Sequence, residues 1–147
     1  IDSPAGIELG FRNAVAPADS FVLVTTPDPS AVQDVDRVLG ILEAEGRSSA
    51  NLIINRIRPD LVKRNEMLSP AGIMARLSIH LLGIVPDDES VLVANNRGTP
   101  IAHDGRSLAG KAYHNMARRL LGENVPLIPL LEGRKGFFER IGLKKSS

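Results

Sequence analysis

The stretch Phe21–Leu42, FVLVTTPDPSAVQDVDRVLGIL, reads as a strand, a turn and the start of a helix. Phe21–Thr25 is a short apolar run rich in β-branched residues. Thr26–Pro29 is turn-forming. Ser30 followed by Gln33 has the form of a capping box, and Val32, Val35, Leu39 and Leu42 recur at helical spacing until Gly46 offers a stop. Two further apolar runs, Asn51–Asn55 (NLIIN) and Leu81–Val85 (LLGIV), follow with their starts 30 residues apart. That interval suits a strand–helix–strand unit, so all three runs are expected to be buried parallel strands.

Helical patterns fill the intervals. Ser69-Pro70 marks a helix start with proline in the first turn, placing Ile73, Met74 and Leu77 inward. A longer helix is expected from about Ser107 to Leu121, with Leu108, Ala112, Met116 and Leu120 inward and Gly122 as its stop. Shorter helices are expected at 7–15 and 89–95. Strands alternating with helices define an α/β class with a mainly parallel sheet. Residues 1–123 would form one such unit, 124–133 a proline-containing linker, and 134–147 a basic tail. The chain opens with Ile1 and a loop, as though a strand lay just upstream, so a fragment or processed chain is expected.

Composition narrows the chemistry. The 147 residues are 43% apolar and 24% charged, ordinary for a folded domain. With no cysteine there is no disulfide, thiolate metal site, iron–sulfur cluster or cysteine nucleophile. No apolar run approaches membrane-spanning length, and no signal-peptide pattern opens the chain. The net charge of +1 is unevenly spread: residues 134–147 hold five basic side chains and one acid, while the remainder holds 13 basic and 16 acidic ones. An acidic body with a basic tail points to a tail that meets an anionic partner. The body shows no sign of specific nucleic-acid binding.

In α/β sheets ligands gather at the carboxyl ends of strands. Asp2-Ser3-Pro4-Ala5-Gly6 follows the presumed upstream strand. Asp2 there could hold Mg²⁺, directly or through water, and Gly6 would let a backbone N–H approach a phosphate; a plain turn into a helix is the competing reading. Polar turns at Thr25–Pro29, Asn55–Pro59 and Pro86–Asp88 would share the same rim. Gly105–Ala112 (GRSLAGKA) imitates a phosphate loop, but Ala112 stands where a Mg²⁺-binding Ser or Thr is needed and no strand precedes it. His80, His103 and His114 lack metal-ligand spacing, there is no G-x-S-x-G element, and Tyr113 reads as structural.

Seven stretches run in one order: DSPAGIE (2–8), VTTPDPSAVQDVDRVLGIL (24–42), NRIRP (55–59), GIVPDD (83–88), NNRGTP (95–100), AGKAYHNMARRLLGE (109–123) and GFFERIGLKK (136–145). Together they resemble the MinD family of septum-site-determining ATPases, of the deviant-Walker-A P-loop class. The resemblance covers nearly the whole chain. It implies a P-loop NTPase-like α/β fold, incomplete at its N-terminal side, with a C-terminal amphipathic helix. Asp2, with Gly6 nearby, would belong to the switch sensing the γ-phosphate of ATP through Mg²⁺. Asn55, Arg56, Pro86 and Asp87 would surround the adenine, while Asp34 and Asp36 would lie on the surface met by MinC-like and MinE-like regulators. An ATP-dependent homodimer at the cytoplasmic face of the inner membrane is implied. The family's Gly- and Lys-rich phosphate loop would precede these motifs and is missing, so this chain alone is expected to hydrolyse no ATP. Within the class, a ParA-like or flagellar-number ATPase is the alternative, and outside it a non-catalytic module binding a partner and the membrane.

The tail fits the membrane reading. On a helix, Phe137, Ile141 and Phe138 fall within an arc of about 100°. Arg140 and Lys144 flank that arc, Lys145 lies within it with a stem able to snorkel, and Leu143 falls outside. This is the pattern of a short interfacial helix that meets anionic lipid.

Overall fold

The computed structural model describes residues 1–130 other than Ala5 and Ser48. The amphipathic-helix expectation for 134–147, with Phe137, Phe138, Arg140, Ile141, Lys144 and Lys145, lies outside the described residues. The elements are α1 (Leu9–Val15), β1 (Phe21–Thr25), α2 (Pro29–Ala44), β2 (Ala50–Ile57), α3 (Pro59–Lys63), α4 (Pro70–Leu77), β3 (His80–Pro86), α5 (Glu89–Asn96), a 3-10 turn (Ile101–His103) and α6 (Leu108–Leu120). All three expected strands are present, pairing in parallel in the order β1-β2-β3. Asn51 is the partner of Val22 on one side and of His80 on the other.

The sheet is covered unequally. On one face Leu52 and Ile54 of β2 pack with Val32, Val35 and Leu39 of α2 and Ile73 and Leu77 of α4. On the other, Leu82 and Val85 of β3 pack with Ala109, Ala112 and Met116 of α6, and Ile53 joins them. Leu52, Ile54 and Ile57 are fully buried, which explains why β2 reads as an unbroken apolar run. β1 departs from the expectation of full burial: Val22 and Val24 are 43% and 56% exposed. Phe21 and Leu23 point to the α2 side, and among the described residues no helix covers β1's opposite face.

Helix starts follow local chemistry. Ser69 caps α4 by accepting the Gly72 N–H, and Ser107 caps α6 by accepting that of Gly110. α2 starts differently from the expected capping box at Ser30. Its N-cap is Asp28, whose carboxylate accepts the Ala31 N–H at 3.0 Å while the Ser30 hydroxyl donates to it. Pro29 in the first turn has no N–H to satisfy, which favours this earlier start. Gly46 and Gly122 follow α2 and α6 with φ of +72° and +88°, as helix-ending glycines should. In α6 the expected inward Leu108 and Leu120 are 47% and 58% exposed. Ala109 and Gly110 take the buried side instead, because the 3-10 turn passes close against it; a Cβ on Gly110 would meet the carbonyl oxygens of Ile101 and Asp104.

Residues 124–130, the described part of the expected linker, form an extended strap. Ile128 packs on the α6 face of the sheet and Leu130 on the α2 and α4 face, so the strap crosses the β3 edge. Arg119 fastens it. Its guanidinium donates to the carbonyls of Leu82, Val125 and Pro126, each at 2.7 Å. Charged hydrogen bonds of this kind contribute about 1.5–3 kcal/mol apiece but do not sum. Arg119→Ala is expected to destabilise the protein by roughly 2–3 kcal/mol in urea unfolding. It should also accelerate hydrogen exchange across 124–130; unchanged exchange there would show that the strap does not depend on Arg119.

Candidate functional site

β2 and β3 end at one rim, and both endings are irregular. The β2–β3 register breaks between Ile54 and Ile57, so Asn55 and Arg56 bulge out of the ladder. Arg56 adopts a left-handed φ of 59°, and the Asn55 side-chain oxygen accepts its N–H at 3.0 Å. For a non-glycine residue that conformation costs about 1–2 kcal/mol, so the surroundings must hold it. The Asp87 N–H donates to the Ile57 carbonyl just past the bulge, and Arg56 Nε approaches the Asp87 carboxylate at 3.4 Å. With side chains 68% and 39% exposed, the ion pair itself adds little stability. Its role is to set two charged groups across the mouth of a cleft.

That cleft, of about 780 Å³, brings together Asn55, Arg56, Pro86 and Asp87. It also holds residues that the sequence reading did not assign to it: Val91, Leu92 and Asn95 from α5, and Tyr113 from α6. Leu92 is 65% exposed on a helix with no buried residue, a hint that its apolar side serves something other than the core. Tyr113, expected to be structural, both packs against the α6-side core and lines the cleft. Apolar walls at Val85, Pro86 and Leu92, with the amides of Asn55 and Asn95, suit a flat ring carrying polar edges. Asp2 and Gly6 are exposed and do not line this cleft; Gly6 has a φ of +89°. Asp34 and Asp36 are exposed on α2, with Asp34 paired to Arg37 at 3.5 Å. Among the described residues no group of three or more His, Asp or Glu could hold a metal ion.

Asp88 anchors the rim. Its carboxylate accepts from the Ser90 hydroxyl and N–H, from the Ser107 hydroxyl at 2.8 Å and from the Ala109 N–H at 3.3 Å. These bonds, led by the Ser90 hydroxyl, outweigh partial burial and lower its pKa to about 2. They also dispose of the GRSLAGKA stretch as a phosphate loop. The amides of Ala109, Gly110 and Lys111 are already taken by Asp88, the Ser107 hydroxyl and the Ser107 carbonyl, and a carboxylate stands beside them.

No model of a known protein family matches the chain. Individual proteins do. The septum site-determining protein MinD of Bacillus subtilis is 50% identical over 142 residues, 96% of this chain and 53% of that protein. MinD of Synechocystis is 46% identical over the same extents. Among solved structures, the MinC:MinD cell division protein complex of Aquifex aeolicus matches with a TM-score of 0.83 at 43% identity, covering 86% of this chain and 52% of that one. MinD of Pyrococcus horikoshii complexed with Mg-ADP shares the fold, with a TM-score of 0.69 at 22% identity over 81% of this chain and 48% of that one. By its likeness to the Aquifex aeolicus structures, the parallel sheet flanked by helices is part of a P-loop NTPase fold. The chain belongs to the MinD family, where it matches the C-terminal part. It spans about half the length of the curated relatives it matches.

Asp88 generates a pH prediction. Its pKa is lower folded than unfolded, so its contribution is complete above the ordinary carboxylate pKa of 3.8 and is lost as pH falls from there towards about 2. Asp88→Asn is expected to cost roughly 1–2 kcal/mol in urea unfolding at pH 7 and much less at pH 2.5. An equal cost at both pH values would rule out the carboxylate as the source.

Proposed function

We propose that this chain is the base-binding and membrane-directed part of an ATP-dependent regulator of division-site placement. The observation that carries the reading is the convergence of Asn55, Arg56, Pro86 and Asp87 in one cleft at the ends of β2 and β3. Pro86 and Leu92 would flank the adenine, and Asn55 and Asn95 would meet its polar edge. Arg56 and Asp87 would close the mouth. The relative solved with Mg-ADP and the named septum-site role of the relatives support this assignment. The described residues supply neither a phosphate cradle nor a set of Mg²⁺ ligands, so phosphoryl transfer is assigned to no residue here. In the intact protein, ATP would join two copies, with Asp2 and Gly6 in the switch and Mg²⁺ at the phosphates.

The exposed carboxylates Asp34 and Asp36 would meet MinC-like and MinE-like regulators. Support for the first comes from the relative solved with MinC. No helix among the described residues is long and apolar enough to cross a membrane. The reading is a peripheral protein on the cytoplasmic face of the inner membrane, held by residues 134–147 on anionic lipid. One such short tail binds weakly, and two on a dimer bind far more tightly through effective concentration.

Two experiments test the reading. In the intact protein, Asn55→Ala or Asp87→Ala is expected to weaken ATP binding about tenfold with the far-ultraviolet spectrum unchanged, while the isolated 147-residue chain turns over no ATP above background. Unaltered affinity in both variants would remove the cleft as the base site. Anionic vesicles should sediment the dimeric intact protein in the presence of ATP, and Phe137→Glu with Phe138→Glu should abolish this. Equal sedimentation of parent and variant would exclude the tail as the membrane anchor.

A further inference from the structure

α6 is an unusual surface helix because Leu108–Leu120 contains no acid. On its outer side lie Lys111 and His114, both exposed, and the 3-10 turn brings His103 beside them. Those three side chains line a shallow depression of about 440 Å³ with no carboxylate in its walls. The neighbouring depression, of about 460 Å³, shares His103 and Gly105 and adds Arg97 and Arg106. The two together collect three permanent cations and two imidazoles against one acid, Asp104. That carboxylate is already engaged, accepting the Arg106 N–H at 2.9 Å with Arg106 Nε at 3.4 Å. The Arg106 side chain is 95% exposed. Among the described residues, Arg97 and Lys111 have no carboxylate at ion-pair distance. In a body whose first 133 residues carry an acidic excess, such a patch is a local exception.

Apolar side chains decide what kind of anion fits. Leu108 is 47% exposed and Leu121 is 82% exposed. At helical spacing both fall on the same side of α6 as Lys111 and His114, within an arc of about 140°. Basic residues interleaved with exposed leucines match the boundary of an anionic bilayer, where headgroups take the charge and the acyl region takes the leucines. A nucleic-acid backbone would use the charge and leave the leucines unused, and this side of α6 offers no Phe, Tyr or Trp for base stacking.

We infer that the basic face formed by α6 and the 3-10 turn is a second lipid contact, resting on an anionic phospholipid surface when the protein is on the membrane. For its partner it rests on the membrane reading above. It differs in placing body residues, and not only the tail, at the lipid. Two contacts on one chain would fix the orientation of the body on the membrane, which a tail alone would leave free.

The test uses the intact protein and vesicles of phosphatidylcholine with or without phosphatidylglycerol. With the tail unchanged, Arg106→Gln and Lys111→Gln are expected to weaken binding to the phosphatidylglycerol vesicles roughly fivefold for each charge removed. Binding to pure phosphatidylcholine should not change. Arg106→Lys with Lys111→Arg should restore the anionic binding, and ATP affinity should match the parent throughout, since neither residue lines the cleft. Undiminished binding of the glutamine variants to anionic vesicles overturns the inference. So does a loss confined to a duplex DNA fragment with vesicle binding intact, which would assign the face to nucleic acid. The tail is judged separately by Phe137→Glu and Phe138→Glu: if those leave vesicle binding intact while the glutamine variants weaken it, the tail reading falls and the α6 face stands.

Discussion

Asp88 stands where β3 stops, and its two oxygens are occupied from two directions. One takes the N–H and hydroxyl of Ser90, at the start of α5; the other takes the Ser107 hydroxyl and the Ala109 N–H, at the start of α6. Two helix N-termini therefore share one anion, each adding its favourable dipole. α5 has no buried residue of its own and leans on the core only through half-buried Val91 and Ala94. Its place is set mainly by this end. Yet α5 supplies Leu92 and Asn95 to the cleft, and α6 supplies Tyr113 there and Arg119 at the far end. The shape of the cleft and the path of the strap both trace back to the same carboxylate.

What was legible in the sequence, and what was not, divides along a physical line. Strands β1–β3 could be read because burial in a parallel sheet demands continuous apolar runs, and the starts of α4 and α6 because serine caps are local. The sequence places the start of α2 two residues late, since Ser30 and Asp28 are both competent caps and only Pro29 favours the earlier one. The inward face of α6 departs from its hydrophobic pattern for a different reason. Hydrophobicity pointed to Leu108 and Leu120, whereas close passage of the 3-10 turn demanded small residues, Ala109 and Gly110. The bare face of β1 has no signature at all, because Val22 and Val24 look the same covered or uncovered.

The site shows the same division. Asn55, Arg56, Pro86 and Asp87 sit at strand ends, where the rule for α/β sheets and the family resemblance both direct attention. The α5 wall depends on how two helices meet across Asp88, which no spacing along the chain encodes. The positive φ of Arg56 was also invisible, since arginine carries no conformational label as glycine does. It is the strained bulge that turns Asn55 and Arg56 out of the ladder and gives the rim its chemistry.

The strap gives the sheet a direction. Residues 124–130 cross the β3 edge, and Arg119 occupies the Leu82 carbonyl there, while among the described residues β1 keeps both a free edge and an uncovered apolar face. One margin is crossed by the strap and the other is open. A strand joining this sheet at β1 would meet an unpaired ladder and an apolar face together. The segment fastened across the opposite margin stands in the way of a strand there, and so gives any larger sheet built on this one a preferred side.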